Sequence, residues 1–163
     1  MREANSKIVA SSELRQLVTE LKAAGKRVVF ANGCFDTLHV GHVRYLQGAK
    51  EQGDLLIVGV NGDESVRRLK GAGRPILDER ARAQLVGALR CVDHVVLFRE
   101  ANVERLLEEL LPDVHAKGTD YTAASVPERA VADRLGIAVA IVGDPKDHST
   151  REFLKSIRKD AHD

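Results

Sequence analysis

The sequence RVVFANGCFDTLHVGH, residues 27–42, places a β-branched apolar run directly before a polar turn that contains two glycines and two histidines. The run RVVFANG has the composition of a short buried strand that ends at Asn32 and Gly33. A helix is predicted from about Gly41 to Glu51, so the polar turn joins a strand to a helix. This order begins an α/β unit, and the rest of the chain repeats it.

Four further apolar runs follow, at intervals that leave room for a helix between each pair. They are predicted as strands and read DLLIVGVNGD, HVVLF, DVHAKG and IAVAIVG, at residues 54–63, 94–98, 113–118 and 137–143. Apolar strands that alternate with helices favour a parallel sheet covered on both faces. The predicted fold class is therefore α/β, a doubly wound (Rossmann-like) five-stranded parallel sheet with helices on both faces.

Capping residues and apolar periodicity predict where the helices begin. Ser11 or Ser12 would cap an N-terminal helix that ends at Gly25, and Asp78 would cap the helix ERARAQLVGALR. The N-terminal helix precedes the first strand, and we expect it to pack on the edge of the sheet. The segment SVRRLKGAGRP begins as a short helix, and VERLLEELL is a helix stopped by proline. Capping-box spacing opens two later helices, at Ser125 with Glu128 and at Ser149 with Glu152.

Length, composition and charge limit the classes of protein to consider. The 163 residues, 44% hydrophobic and 30% charged, predict a single domain over residues 1–163, with 1–25 as a helical extension and 27–160 as the core. A net charge of +1 favours neither nucleic acid nor membrane as a partner. The chain has no apolar run of transmembrane length and no signal-peptide core at its start, which predicts a cytoplasmic protein. Two cysteines without zinc spacing fit a reducing compartment and predict no structural metal.

The unusual segments of the chain all follow predicted strands. In a doubly wound sheet, ligands bind beyond the carboxyl ends of the strands. We therefore expect functional residues in four segments, at 32–42, 61–74, 117–121 and 143–150.

The first of these segments has features of a phosphate site. Gly33 and Gly41 would let the backbone approach a ligand, and the free N–H groups at a helix start suit an anion. His39 and His42 are three apart at that helix start, where both rings could hydrogen-bond phosphate oxygens as negative charge builds on them. The structural alternative is an ordinary polar loop, but the HxGH spacing after GCFD favours the phosphate interpretation.

A basic loop follows the second strand. Arg67, Arg68, Lys70 and Arg74 lie within eight residues beside two glycines, which suits a phosphate-rich substrate. The alternative is a solvated surface loop, and for Arg67 and Arg68 the two readings are equally favoured. Arg80 lies in the first turn of the next helix, an unfavourable place for a cation unless an anion is nearby. An exposed helix arginine is its structural alternative.

The segment GCFDTLHVGHVRYLQGAKEQGD, residues 33–54, resembles the signature of the cytidylyltransferase-like superfamily of nucleotidyltransferases, in which G-x-F-D-x-x-H-x-G-H precedes a helix. Members join a nucleoside triphosphate to a phosphorylated or acidic acceptor and release pyrophosphate. The resemblance implies that His39 and His42 contact the triphosphate and stabilise the transition state. It also implies that Phe35 and Asp36 shape the nucleotide pocket.

Two later segments resemble the adenylyltransferases that make ADP-heptose from heptose 1-phosphate. They are VGVNGDESVRRLKGAGRPILDERARAQLVGALRCVDHVVLF, residues 58–98, and LPDVHAKGTDY, residues 111–121. The resemblance covers residues 27–160, the expected catalytic core. In many bacteria this domain is fused to a sugar kinase, and the present length leads us to expect the stand-alone form.

Position by position, the resemblance implies three sets of site residues. The catalytic set is His39, His42, Lys70 and Arg80. The nucleotide-binding set is Gly33, Cys34, Phe35, Asp36, Gly41, Lys117, Gly118, Asp120, Ser149 and Thr150. The substrate-binding set is Asn61, Asp63 and Arg74.

Three members or neighbours of these sets have other readings. Cys34 is also explained by packing, Tyr121 is more simply a packing residue, and His148 is more simply incidental. The family usually has S-T-T at the start of its last helix, whereas here Arg151 follows Ser149 and Thr150. The consequence of that arginine is open.

The resemblance implies transfer of AMP from ATP to D-glycero-D-manno-heptose 1-phosphate, by direct in-line attack of the acceptor phosphate. Mg²⁺ is expected as the companion of ATP. Either anomer of the sugar phosphate fits the sequence. The alternatives are a cytidylyltransferase acting on glycerol 3-phosphate or a similar alcohol phosphate, and a non-catalytic nucleotide-binding module. A homodimer is expected because relatives in the superfamily commonly dimerise.

Overall fold

The computed structural model describes residues 3–144, and the predicted final helix, with Ser149 and Thr150, lies outside these residues. The strands are β1 Val28–Gly33, β2 Leu55–Asn61, β3 His94–Phe98, β4 Val114–Gly118 and β5 Ala138–Val142. The α-helices of the described part are α1 Ser11–Ala23, α2 Val40–Lys50, α3 Asp63–Lys70, α4 Glu79–Ala88, α5 Glu104–Leu110 and α6 Arg129–Leu135. A short 3₁₀ helix, Asn5–Lys7, precedes α1.

The five strands form one parallel sheet in the order β3-β2-β1-β4-β5, which confirms the predicted fold class. From β1 the chain moves outward through β2 to β3, and then returns to the other side of β1 to form β4. The strand order therefore reverses between β1 and β4. Their carboxyl ends, at Gly33 and Gly118, flank the crevice where a doubly wound sheet binds its ligand.

Alternate residues of the strands point into two apolar layers. Val29 and Ala31 of β1 pack with residues of α2 and α4 on one face of the sheet. Val28 and Phe30 pack with residues of α1, α5 and α6 on the other face. Burial on both faces is the reason that the strands are continuously apolar rather than alternating.

Helix α1 covers a face of the sheet, so the predicted edge position is wrong. Its residues Leu14 and Val18 are buried against β1 and α5 in the second apolar layer. The edge is met instead by the preceding segment, where Ile8 forms a parallel bridge with Val95 of β3. The α1 residues face the core at a period of four, a pattern that specifies burial but not which surface of the sheet provides it.

Two of the predicted helix caps differ from those observed. Ser11 is the first residue of α1 rather than its cap, and Ala10 occupies the cap position without a side-chain bond. Helix α6 begins at Arg129, with Glu128 at the cap position, so Ser125 and Glu128 do not form a capping box. The predicted cap at Asp78 is confirmed, because its carboxylate accepts a hydrogen bond of 2.8 Å from the backbone N–H of Ala81.

Among the helices of residues 3–144, none is long and apolar enough to cross a membrane.

If α1 belongs to the core, Leu14→Ala will lower the free energy of unfolding by about 2–5 kcal/mol, because the deletion leaves a cavity at a side chain that is 1% exposed. Leu85→Ala, the same deletion in α4 at a side chain that is 42% exposed, will change it by about 0.5 kcal/mol or less. Urea unfolding of both variants measures the difference. Equal losses would mean that α1 is dispensable to the core.

Candidate active site

The loop between β1 and α2 brings His39 and His42 together at the start of α2. His39 is the cap residue in extended conformation, and its backbone N–H donates to Nδ1 of His42 at 3.4 Å. The two rings stack, with centroids 3.8 Å apart and planes at 27°. Because Nδ1 of His42 accepts this bond, the neutral ring carries its proton on Nε2. His42 therefore presents an N–H donor away from the helix backbone.

The same helix start supplies backbone donors. Val40 and Gly41 form the first turn of α2, and N–H groups in a first turn have no acceptor within their own helix. An anion in front of α2 would meet these N–H groups, the positive end of the helix dipole and the two imidazoles together.

Phe35 supports the His42 ring from behind. It is buried, with a left-handed backbone (φ 48°), and its ring meets the His42 ring edge-on with centroids 5.2 Å apart. A Cβ atom at position 33 would lie 3.1 Å from the Phe35 ring. A side chain at position 33 would therefore crowd the Phe35 ring, and both residues shape the loop that holds the histidines.

Asp36 attaches the loop of residues 71–77 to the β1–α2 loop. Its fully buried carboxylate pairs with the Arg74 guanidinium and accepts a hydrogen bond of 2.6 Å from the backbone N–H of Ile76. Both carboxylate oxygens are therefore occupied by the loop of residues 71–77. Since a buried charge must be paired, this ion pair determines where the basic loop lies.

Asn61 and Asp63 attach the start of α3 to its surroundings. The Asn61 amide donates to the Ser65 hydroxyl at 3.1 Å. The Asp63 backbone N–H donates to the Glu79 carboxylate at 3.0 Å, and the Asp63 side chain accepts from Arg82 at 2.7 Å. These two predicted substrate residues are thus engaged with the protein itself in the structure.

Arg82 is a residue that the sequence analysis missed. Its side chain is fully buried and donates to the carbonyls of Cys34 and Leu77 as well as to Asp63. A signal for it exists in the sequence, because Arg82 lies four residues before Val86 on the buried stripe of α4. A cation on an apolar stripe implies a specific set of acceptors.

Lys70 and Arg80 are the exposed cations of the predicted catalytic set. Lys70 ends α3, and its charge acts on the Cys34 thiol, so it faces the β1–α2 loop. Burial raises the pKa of that thiol, while Lys70 and Arg82 act in the opposite direction. A protonated thiol is a poor nucleophile, which argues against a covalent role for Cys34. Arg80 has no ion pair within residues 3–144.

The end of β4 contains a buried polar cluster. The Lys117 ammonium lies 3.3 Å from the Glu128 carboxylate, 3.5 Å from the Asn32 side-chain oxygen and 4.8 Å from the centre of the Tyr121 ring. The His115 imidazole lies 3.0 Å from the same Asn32 oxygen. The charge of Lys117 is therefore balanced inside the protein, and the Tyr121 ring lies beside it.

Tyr45 of α2 bridges the crevice between β1 and β4. Its hydroxyl donates to the Ala116 carbonyl of β4 at 2.8 Å and lies 3.5 Å from the Asn32 carbonyl of β1. Burial raises the pKa of this hydroxyl, so it remains a donor. Gly118 lies beside the Tyr45 ring, and Asp120 is exposed in the turn that follows β4. The described members of the predicted sets thus converge on the carboxyl ends of β1, β2 and β4.

No group of three or more histidine, cysteine, aspartate or glutamate side chains within residues 3–144 is placed to hold a metal ion.

Comparison with known proteins places these features in a family. A model of the cytidylyltransferase-like family matches residues 30–158. The chain is 48% identical over 156 residues to the bifunctional protein HldE of Geotalea uraniireducens and 46% identical over 155 residues to that of Geobacter metallireducens. These matches cover 96% and 95% of the chain but 32% of each relative, so the chain spans about a third of their length.

A solved structure has the same fold. It is described as the lipopolysaccharide core biosynthesis protein from Thermoplasma volcanium and aligns with a TM-score of 0.64 and 29% sequence identity. The alignment covers 75% of this chain and 100% of that one.

The buried His115 generates a pH dependence of stability. Burial, together with the nearby Lys117 charge, lowers the pKa of His115 to about 3, whereas an unfolded histidine titrates near 6.5. Between these values the unfolded chain binds one more proton, so the free energy of unfolding falls as the pH is lowered through this window.

We expect His115→Gln, which can still donate to Asn32, to remove most of this slope. Between pH 6 and 5 the wild type will lose up to about 1.4 kcal/mol more than the variant. Urea unfolding across this range measures both slopes. Parallel slopes would show that His115 titrates alike in the folded and unfolded states.

Proposed function

Since the chain belongs to the cytidylyltransferase-like family, we propose that it transfers the adenylyl group of ATP to heptose 1-phosphate, giving ADP-heptose and pyrophosphate. The observation that carries the proposal is the stacked pair His39 and His42 at the start of α2, in the crevice where the strand order reverses. The choice of ATP as donor and heptose 1-phosphate as acceptor rests on the resemblance of residues 58–98 and 111–121 to the adenylyltransferases that make ADP-heptose. The extensive likeness to bifunctional HldE proteins and to a lipopolysaccharide core biosynthesis protein supports this choice.

The proposed reaction is a direct displacement at the α-phosphorus of ATP. An oxygen of the sugar phosphate forms the new bond to the α-phosphorus as the bond to the β-phosphate oxygen breaks, and the electron pair leaves with pyrophosphate. No covalent bond to the protein forms. Catalysis then consists of positioning the two substrates and stabilising the charge that spreads over the phosphate oxygens.

His42 suits the second task because its donor is aimed by the helix. The bond from the His39 backbone fixes Nδ1 as an acceptor, so Nε2–H is the ring donor that would turn to a phosphate oxygen when the nucleotide binds. A donor that is already oriented needs no rearrangement as the charge develops. The first-turn N–H groups of Val40 and Gly41 add donors on the same side.

The cations divide into two groups by their burial. Arg74, Arg82 and Lys117 are balanced by carboxylates of the protein. The exposed Lys70 and Arg80 are the cations that would meet the triphosphate. Mg²⁺ would enter with ATP and offset charge between the phosphates.

The compartment and the assembly are part of the proposal. Cys34 and Cys91 are free thiols, which fits a reducing cytoplasm, the source of ATP. Leu69 and Ile76 are large apolar side chains exposed beside the site, and they support a homodimer.

The proposed function is tested by pyrophosphate release from purified protein with magnesium. ATP, CTP and GTP are each combined with α-heptose 1-phosphate, β-heptose 1-phosphate and glycerol 3-phosphate. We expect turnover with ATP and a single heptose anomer, because the acceptor phosphate must reach the α-phosphorus in line. Substrate-free and magnesium-free reactions are the controls.

Each other result selects a different function. Turnover with CTP and glycerol 3-phosphate would retain the chemistry and replace both substrates. Binding of ATP without pyrophosphate release from any pair would identify a nucleotide-binding module and refute the enzyme assignment.

The roles of the histidines are tested separately with His39→Asn and His42→Gln. Asparagine retains a helix-capping side chain, so the first change removes the imidazole with little cost to the helix. We expect turnover to fall by about 100-fold or more in each variant, a loss typical of removing one donor to a developing charge. Val40→Ala, between the two histidines, is the matched control for the helix start. A double variant with near-normal turnover would refute the assignment.

A further inference from the structure

One fully buried guanidinium joins three separate segments of the chain. Nη1 of Arg82 donates to the Cys34 carbonyl at 2.6 Å, and Nε donates to the Leu77 carbonyl at 3.0 Å. Nη2 donates to the Asp63 carboxylate at 2.7 Å. The side chain is 0% exposed, so it does not reach a ligand in the crevice.

Each of these acceptors belongs to a segment that carries a residue of the proposed machinery. Cys34 lies in the loop that ends at His39, and His42 follows in the first turn of α2. Asp63 is the first residue of α3, which ends at Lys70. Leu77 is the last residue of the loop 71–77 and directly precedes the cap of α4, whose first turn carries Arg80.

We propose that Arg82 is a positioning residue. It fixes the β1–α2 loop, α3 and the loop of residues 71–77 relative to one another. The inference rests on the proposed function, because it assigns Arg82 to the reaction through the groups that those segments carry. Three donors on three different nitrogen atoms reach three acceptors on three different segments. If one segment moves relative to the other two, its hydrogen bond to Arg82 breaks.

A lysine cannot reproduce this arrangement. All its donors are on a single nitrogen, whereas the guanidinium is a rigid plane with donors that point outward in several directions. The Asp63 carboxylate also supplies the only ion pair of Arg82 within residues 3–144. Loss of the guanidinium would leave that carboxylate and two carbonyls without their shared donor.

The chain contains a matched control for a purely structural role. Lys7 is also buried and also donates to two backbone carbonyls, those of Leu89 and Val92, at 3.1 and 2.7 Å. These carbonyls precede β3, at the end of the sheet opposite the site. Lys7→Met therefore removes a buried cation and its carbonyl contacts without touching the three segments.

The test compares Arg82→Lys, Asp63→Asn and Lys7→Met in the full chain by steady-state kinetics and amide hydrogen exchange. We expect Arg82→Lys to lower kcat by about 100-fold, because a displacement of about 1 Å in a reacting group has that effect, while KM for ATP changes less than threefold. Exchange will rise together in residues 33–42, 63–70 and 71–78. Asp63→Asn, which weakens one of the three bonds, will raise exchange in 63–70 alone and lower kcat less.

Lys7→Met will raise exchange near residues 89–92 and leave kcat within twofold of the wild type. The proposal is overturned if Arg82→Lys retains kcat within twofold, or if its exchange rises evenly over the whole chain. It is also overturned if Lys7→Met lowers kcat as much as Arg82→Lys does when both variants lose the same amount of Tm. If Arg82→Lys does not fold, a rise confined to 63–70 in Asp63→Asn supports it and an unchanged pattern refutes it. A wild type inactive with every substrate pair refutes the proposed function, and the exchange pattern still decides the role of Arg82.

Discussion

A charge that leaves water must have a partner inside the protein, and this requirement determines how the loops above the sheet are held. Within residues 3–144, three ion pairs with buried partners meet this requirement above the sheet, each at the carboxyl end of a different strand. Asp36 with Arg74 lies after β1, Asp63 with Arg82 after β2, and Lys117 with Glu128 at the end of β4. The pairs join residues that are 38, 19 and 11 positions apart, so they hold the loops around the crevice between β1 and β4 in place.

Residues that belong to one sequence motif therefore have different roles in the structure. Asp36 belongs to the same short run as His39 and His42, yet both its oxygens hold the loop of residues 71–77. Gly33 leaves room for Phe35, and Phe35 supports the ring of His42. Much of the motif therefore fixes the position of two imidazoles and one helix start, which suits a reaction that depends on positioning.

The fold was predictable because its main signals are local. Each strand is an apolar run bounded by polar residues, and the order of strands and helices leaves few topologies for a parallel sheet. The helix α1 was misplaced because its apolar stripe specifies a buried face without naming the surface that covers it. The capping box at Ser125 failed because Glu128 is drawn to Lys117, a partner eleven residues earlier that only the folded sheet brings near.

The prediction of the site was limited in the same way. The histidines were predictable from their spacing, since residues three apart at a helix start share a side. Arg82 was missed because the segment ERAR contains two arginines and the family resemblance points to Arg80, whereas the apolar stripe of α4 points to Arg82, four residues before Val86. In the structure Arg80 is exposed and Arg82 is buried. The acceptors of Arg82 are two backbone carbonyls and one carboxylate on other segments. Every residue has a backbone carbonyl, so the sequence pattern does not show which ones accept from Arg82.

The stacking of His39 on His42 limits the chemistry that this pair can perform. Two unit charges about 4 Å apart repel by about 4 kcal/mol at an effective dielectric constant of about 20, so the stack disfavours a positive charge on both rings. The pair is therefore better suited to donating oriented hydrogen bonds than to neutralising a triphosphate. In the proposed reaction, neutralisation would fall to exposed groups that can move and remain hydrated until the ligand binds, namely Lys70 at the end of α3 and Arg80 at the start of α4. In the proposed reaction, oriented donors with mobile cations around them would stabilise the transition state more than the bound ground state, which is the requirement for catalysis rather than tight binding.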